Sequence, residues 1–152
     1  MATLSKEFCA ESNAIHYAHS TMMNELAAMS VALDKLCTTD DEFANLSVAK
    51  QVQFLARDIH AELVPHFRHE EATVLRTVSE VSRELAHFAA EMRREHDDLE
   101  RRFAAYCLTL DGLETAADME ATLREVKREG RELVRDLERH VNTEETELSG
   151  FF

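Results

Sequence analysis

Glycine and proline are scarce in this chain: three glycines and one proline stand among 152 residues, with no tryptophan and two tyrosines. Sheet proteins place such residues at the ends of their strands, so this scarcity disfavours an all-β fold and favours long helices. Positive charge is also short. Seventeen Lys and Arg face thirty Asp and Glu, a formal net charge of -13. Nucleic acid and anionic membrane surfaces repel such a chain at long range, and neither is expected as a partner. No run of eighteen apolar residues occurs, and the opening MATLSKEFCAESNAIHYAH lacks a basic segment followed by an apolar one. A cytoplasmic protein is therefore expected. Cys9, Cys37 and Cys107 are odd in number and form no CxxC pair, which suggests neither a disulfide framework nor a thiolate zinc site.

What the chain does contain is Ala, Leu, Glu, Arg and Met in quantity. Its length suits one domain over residues 1–152, with a core large enough to need no staples. Clusters of Asp, Ser, Thr and Gly interrupt the helical pattern at Cys37–Ser47, Thr77–Ser82 and Leu108–Asp118. Three breaks leave four segments of about 25 to 30 residues, a length that predicts an all-α, up-down-up-down four-helix bundle.

Spacings of three and four trace one inward stripe per segment. The first runs from Ile15 to Leu36, the second from Val48 to Thr77, the third from Val81 to Cys107, and the fourth from Met119 to Leu148. Each is apolar apart from a few intruders: His19 in the first, His66 and Glu70 in the second, His96 in the third, His140 and Glu144 in the fourth. The other four histidines, His16, His60, His69 and His87, fall off the stripes. Glu71, next to Glu70, is expected to face solvent, and Pro65 to kink the second helix. Tyr17 and Tyr106 are candidates to hydrogen-bond the inward histidines.

An ionised carboxylate inside a bundle costs several kcal/mol unless compensated, and two would also repel each other. No Lys or Arg lies on the stripes, so a bound cation is the expected compensation. Residues four apart share a helix face, so His66 with Glu70 and His140 with Glu144 each offer an imidazole and a carboxylate to one space. Two facing pairs can hold two metal ions, and this donor set suits iron, manganese or zinc better than calcium or magnesium. Antiparallel helices must also bring these residues to one level. The first two junctions agree within about one helical turn. The third does not: His96 is fourteen residues before Leu110, whereas His140 is twenty-five after Thr115, so the fourth helix must overhang or begin later.

His19, then HFRHEE with His66 and Glu70, then His96, then HVNTEE with His140 and Glu144, resembles the hemerythrin-like, or HHE cation-binding, family over nearly the whole chain. That resemblance implies a four-helix bundle around a non-heme di-iron centre, with His19, His66, His96 and His140 as terminal iron ligands and Glu70 and Glu144 as bridging carboxylates. Two positions depart from the oxygen carriers of the family. They have HxxxH on the third helix, where this chain has Met92 four residues before His96 and Glu100 four after. Their fourth helix takes a five-residue step to aspartate, which would select Glu145, whereas the stripe selects Glu144. His16, Glu100 or Glu145 could complete the ligand set.

The expected function is binding of O2 or NO at an open iron position, for sensing, delivery or protection, with a protein partner for signalling or iron transfer. Iron storage, iron donation or iron-centre repair is the alternative. Oxidase or peroxidase activity is another, although a ferritin-like oxidase needs ExxH on two helices and only Glu84–His87 qualifies.

Overall fold

The computed structural model describes residues 6–150, so the ends of the expected 1–152 domain lie outside the described residues. Four long helices, α1 (Lys6–Lys35), α2 (Glu42–Ala72), α4 (Arg83–Asp111) and α5 (Met119–Glu147), run up, down, up and down. A short α3 (Val74–Ser79) lies between α2 and α4, and a single 3-10 turn (Leu113–Thr115) precedes α5; no strand occurs among the described residues. Helix α1 packs on α2 and α5, and α4 packs on the same two, which closes the bundle.

Local chemistry sets the ends of these helices. Asp41, Ser82 and Asp118 sit just before α2, α4 and α5, and each side chain accepts a backbone N–H of its first turn. Cys37 takes φ 59, the left-handed conformation that ends a helix, and its N–H donates to Asn45 Oδ1 at 3.0 Å. Asn45 in turn donates to the Thr39 carbonyl, tying the loop to the start of α2.

The second stripe was expected to continue to Thr77, but α2 stops at Ala72. Thr73 has φ -118 and ψ -90, outside the helical region, and its hydroxyl donates to the His69 carbonyl at 2.7 Å. The chain then re-enters helix as α3, which keeps Val74, Leu75 and Val78 in the core. Val81, read as the first inward residue of the next helix, is 59% exposed, because it lies in the link before Ser82 caps α4. Helix α2 runs unbroken through Pro65.

Two apolar clusters form the core. The larger includes Met22, Leu26, Leu63, Phe67, Leu99, Phe103, Leu137 and Val141, and the smaller Ile15, Val74, Leu75, Met92 and Leu148. Helices α1 and α4 cross from one cluster to the other at the inward residues: Ile15 and Met22 flank His19, Met92 and Leu99 flank His96; the chain beyond α2 and α5 reaches the smaller cluster at Val74 and Leu148. A polar layer therefore spans the bundle between two apolar ones. Full burial of a Leu or Phe side chain contributes about 1.5–3 kcal/mol, and these clusters hold the polar layer in place. The awkward third junction is met in part by a late start: residues 112 to 118 carry the chain around before α5 begins at Met119, twenty-one residues before His140, against fifteen from His96 to the end of α4 at Asp111.

Candidate metal centre

All six inward residues predicted from the stripes meet in this layer, and all six are buried. His19 Nε2 lies 2.8 Å from Glu70 Oε1 and 3.4 Å from Glu144 Oε2. His96 Nε2 lies 3.1 Å from Glu144 Oε1 and 3.3 Å from Glu70 Oε2. His66 and His140 each bring Nε2 against the carboxylate one turn further along their own helix, Glu70 and Glu144. The rings pair edge to face, His19 with His66 at 4.9 Å between centroids and His96 with His140 at 4.8 Å. Phe67 stacks on His96 at 3.8 Å, which fixes that ring between an aromatic face and the carboxylates.

Four imidazoles thus turn Nε2 inward, and three hold a carboxylate on the outward nitrogen. His19 Nδ1 donates to Glu145 Oε1 at 2.8 Å, His96 Nδ1 to Glu71 Oε1 at 3.1 Å, and His140 Nδ1 to Glu95 Oε2 at 3.1 Å. Glu71, expected to face solvent from its place off the stripe, instead holds His96 and is largely covered. It sits between His96 and Arg68, which donates to its other oxygen at 3.1 Å. Glu71 and Glu95 lie off the inward stripes and carry no mark there, and Glu145 stands beside its stripe only as a rival ligand to Glu144. The usable signal was the doubled acid in HFRHEE and HVNTEE. In each, the first glutamate faces the layer and the second reaches a histidine of the adjacent helix.

The other candidates stand outside the layer. His16 is exposed and approaches Glu145 at 3.0 Å. Glu100 accepts from Arg68 at 2.9 Å. His69 is exposed, and His87 pairs with Glu91 on the surface. Tyr17 is exposed, and the Tyr106 hydroxyl donates to the Val126 carbonyl at 2.7 Å, so neither serves the histidines. Met92 is buried among apolar side chains, in place of a fifth histidine.

Electrostatics in the layer run both ways. Burial opposes charge on His19 and on His96, but hydrogen bonds to Glu144 and Glu70 outweigh it and raise each to about 10. His140 is raised as well: burial opposes its charge, and Glu144 and Glu95 overcome it. Burial pushes the Glu70 carboxyl up, yet hydrogen bonds from His19, His66 and His96 hold it well below the ordinary carboxylate range. Burial and the charge of Glu70 push Glu144 up, and His140, His19 and His96 bring it down. Imidazolium protons can therefore neutralise the two carboxylates, and buried acid alone does not demand a cation.

The unmatched atoms are what point to one. His66 Nε2, His140 Nε2 and Glu70 Oε2 are buried and crowd the opposing donors, but none has a partner in good hydrogen-bond alignment. They belong to two sets of donor atoms, each within 4.8 Å of one another: Glu70, His96, His140 and Glu144, and His19, His66 and Glu70. A cation within each set would satisfy these atoms, and the residues fit a metal.

A family model described as the hemerythrin HHE cation binding domain matches residues 11–152. The chain belongs to that family. No curated protein and no solved structure matches it. For a hemerythrin domain the buried layer is the expected place for a cation, and its histidines and glutamates stand one group per long helix, in the order read from the sequence.

Proposed function

We propose that this hemerythrin domain, taken as a single unit over residues 1–152, is a non-heme di-iron protein that binds O2 or NO for sensing, delivery or protection. The observation that carries the reading is the division of the six donors into a set of four and a set of three that share Glu70. One shared carboxylate between two sets suits a pair of ions, and the smaller set leaves room for an exogenous ligand. Imidazole and carboxylate without thiolate suit iron, with manganese or zinc as other possible occupants. When bound, the iron pair supplies the redox and ligand-binding chemistry that the side chains lack.

The chain's own residues supply the rest. Glu71, Glu95 and Glu145 hold the outward N–H groups of His96, His140 and His19, which fixes the tautomer that presents Nε2 to a metal. Phe67 and the two apolar clusters keep bulk water from the layer. No helix among the described residues is long and apolar enough to cross a membrane, and a cytoplasmic setting is part of this proposal. The ferritin-like oxidase reading draws no support, since the one ExxH pair ends at His87 on the surface.

Anaerobic reconstitution with ferrous iron, followed by O2 and separately by NO, tests the reading. Two irons per chain and a reversible absorption change on adding O2 or NO are expected. Rapid oxidation with loss of iron would favour the donor or oxidase alternatives. A chain that takes up no iron, manganese or zinc would sink the proposal.

A further inference from the structure

The surface made by α1 and α2, on the opposite side of these helices from the core, is apolar at its centre and oppositely charged at its two ends. Val31 is 56% exposed and Phe54 67%, and with Ala28 and Leu55 they line a groove between the two helices. Single exposed apolar side chains are ordinary, but apolar residues of two helices that together line one groove are a mark of an interface. Lys35 and Lys50 close one end of the groove. At the other end Glu25 on α1 meets Glu62 and Asp58 on α2. In a chain with only 17 basic residues against 30 acidic ones, two lysines on one groove stand out.

The spacing of these charges is symmetrical about the middle of the groove. On α1, Lys35 and Glu25 lie five residues either side of position 30, about 7.5 Å each way; on α2, Lys50 and Asp58 lie four either side of Phe54, about 6 Å each way. A two-fold axis in the plane of this face, across the helices at that midpoint, lays α1 antiparallel on α1 of a second copy and α2 on α2. Phe54 then meets Phe54 of the second copy, Lys35 meets Glu25, and Lys50 meets Asp58. Each contact occurs twice, as an isologous interface requires.

We propose that the α1/α2 face is the interface of a two-fold dimer of this chain, with Phe54 at its centre and the Lys35 and Lys50 end of each copy set on the Glu25 and Asp58 end of the other. The state of the acidic end agrees. Burial, with Glu62 and Asp58 alongside, pushes the Glu25 carboxyl up to about 7, so in one copy the cluster is short of positive charge. Lys35 makes no ion pair among the described residues, and Lys50 has only the exposed Glu114 at 3.2 Å. The self-complementary charge favours a second copy over an unrelated helix, which would match one end only.

Sedimentation equilibrium on the full, metal-loaded chain tests this, with far-UV circular dichroism as the check on folding. The wild type should be a dimer in the micromolar range. Phe54→Asp should weaken it by about tenfold or more, as loss of a central aromatic anchor does. Lys35→Glu alone and Glu25→Lys alone should each weaken it as well, and the double variant Lys35→Glu with Glu25→Lys should restore it, because the two-fold re-pairs the swapped charges. Leu108→Asp, an exposed apolar residue on α4, should leave the dimer unchanged. A monomeric wild type overturns the proposal. So does a dimer broken by Leu108→Asp but not by Phe54→Asp, or a double variant no better than either single one.

Discussion

Glu71 on α2 accepts a hydrogen bond from His96 Nδ1 on α4 at 3.1 Å, while the residue before it, Glu70, faces the same ring from its other side, 3.3 Å from Nε2. Two consecutive glutamates thus grip one imidazole, and Glu144 and Glu145 treat His19 in the same way. The outer carboxylate orients the ring and raises its basicity as a ligand. Glu71→Ala is expected to lower metal affinity by about 10–100-fold, and Glu71→Gln, which can still accept the N–H, by less. Competition titration with a chromophoric chelator reads both. Equal affinity in all three proteins would show that Glu71 only packs.

The two donor sets should fill unequally. The set of four, Glu70, His96, His140 and Glu144, offers one more ligand than the set of three. Among the described residues, His66 is also the one inward histidine with no carboxylate on Nδ1. Glu95 precedes His96 and holds His140, while the residue preceding His19 is Ala18, which has nothing to offer His66. His66→Ala is therefore expected to lose one metal per chain and keep the other, whereas Glu70→Ala, which serves both sets, loses both. His69→Ala should lose neither. Metal counting by plasma emission after desalting decides, and loss of both metals in His66→Ala would contradict two separable sets.

All six inward residues were legible because burial has a period, and a histidine or glutamate in an apolar stripe stands out against it. His19, His66, Glu70, His96, His140 and Glu144 needed no partner information to be found. Glu71, Glu95 and Glu145 were not legible that way. They lie on the flanks of their helices, where a residue faces a neighbouring helix as readily as solvent, and only the packing of α4 against α2 and α5, and of α5 against α1, gives them a histidine to hold. The end of α2 was hidden for another reason. Val74 and Val78 keep the apolar rhythm across Thr73, so the pattern continues while the backbone breaks.

Gly130 on α5 lies where side chains of α1 and α4 press on the helix. A Cβ there would stand 2.8 Å from Leu33 Cδ2 and closer still to the Tyr106 hydroxyl. Neither neighbour can give easily, since Leu33 is fully buried and the hydroxyl is committed to the Val126 carbonyl. Gly130→Ala is expected to destabilise the chain by about 1–3 kcal/mol, the usual cost of overpacking, although alanine is the better helix former. Urea unfolding measures it. The companion Tyr106→Phe with Gly130→Ala should recover part of the loss by removing the oxygen, and an unchanged midpoint in the single variant would contradict the close approach.

Protonation and metal compete for the same nitrogens, and the direction of the shifts sets the sign. His19 and His96 stand at about 10 in the metal-free fold against an ordinary 6.5. A raised histidine adds stability that is complete below 6.5 and disappears as pH climbs through 10. Glu70 and Glu144 are lowered, so their share is present above the ordinary carboxylate range and is lost on acidification. The metal-free chain is therefore expected to melt highest between about pH 5 and 6.5 and to lose Tm steadily toward pH 10. Metal affinity should move the other way, rising with pH across the same window, because each bound ion must displace imidazolium protons. Calorimetric titration with zinc at pH 7, repeated in buffers of different ionisation enthalpy, should register proton release on binding. Release of no protons, with a flat Tm from pH 6 to 9, would show that the layer is held by neutral imidazoles.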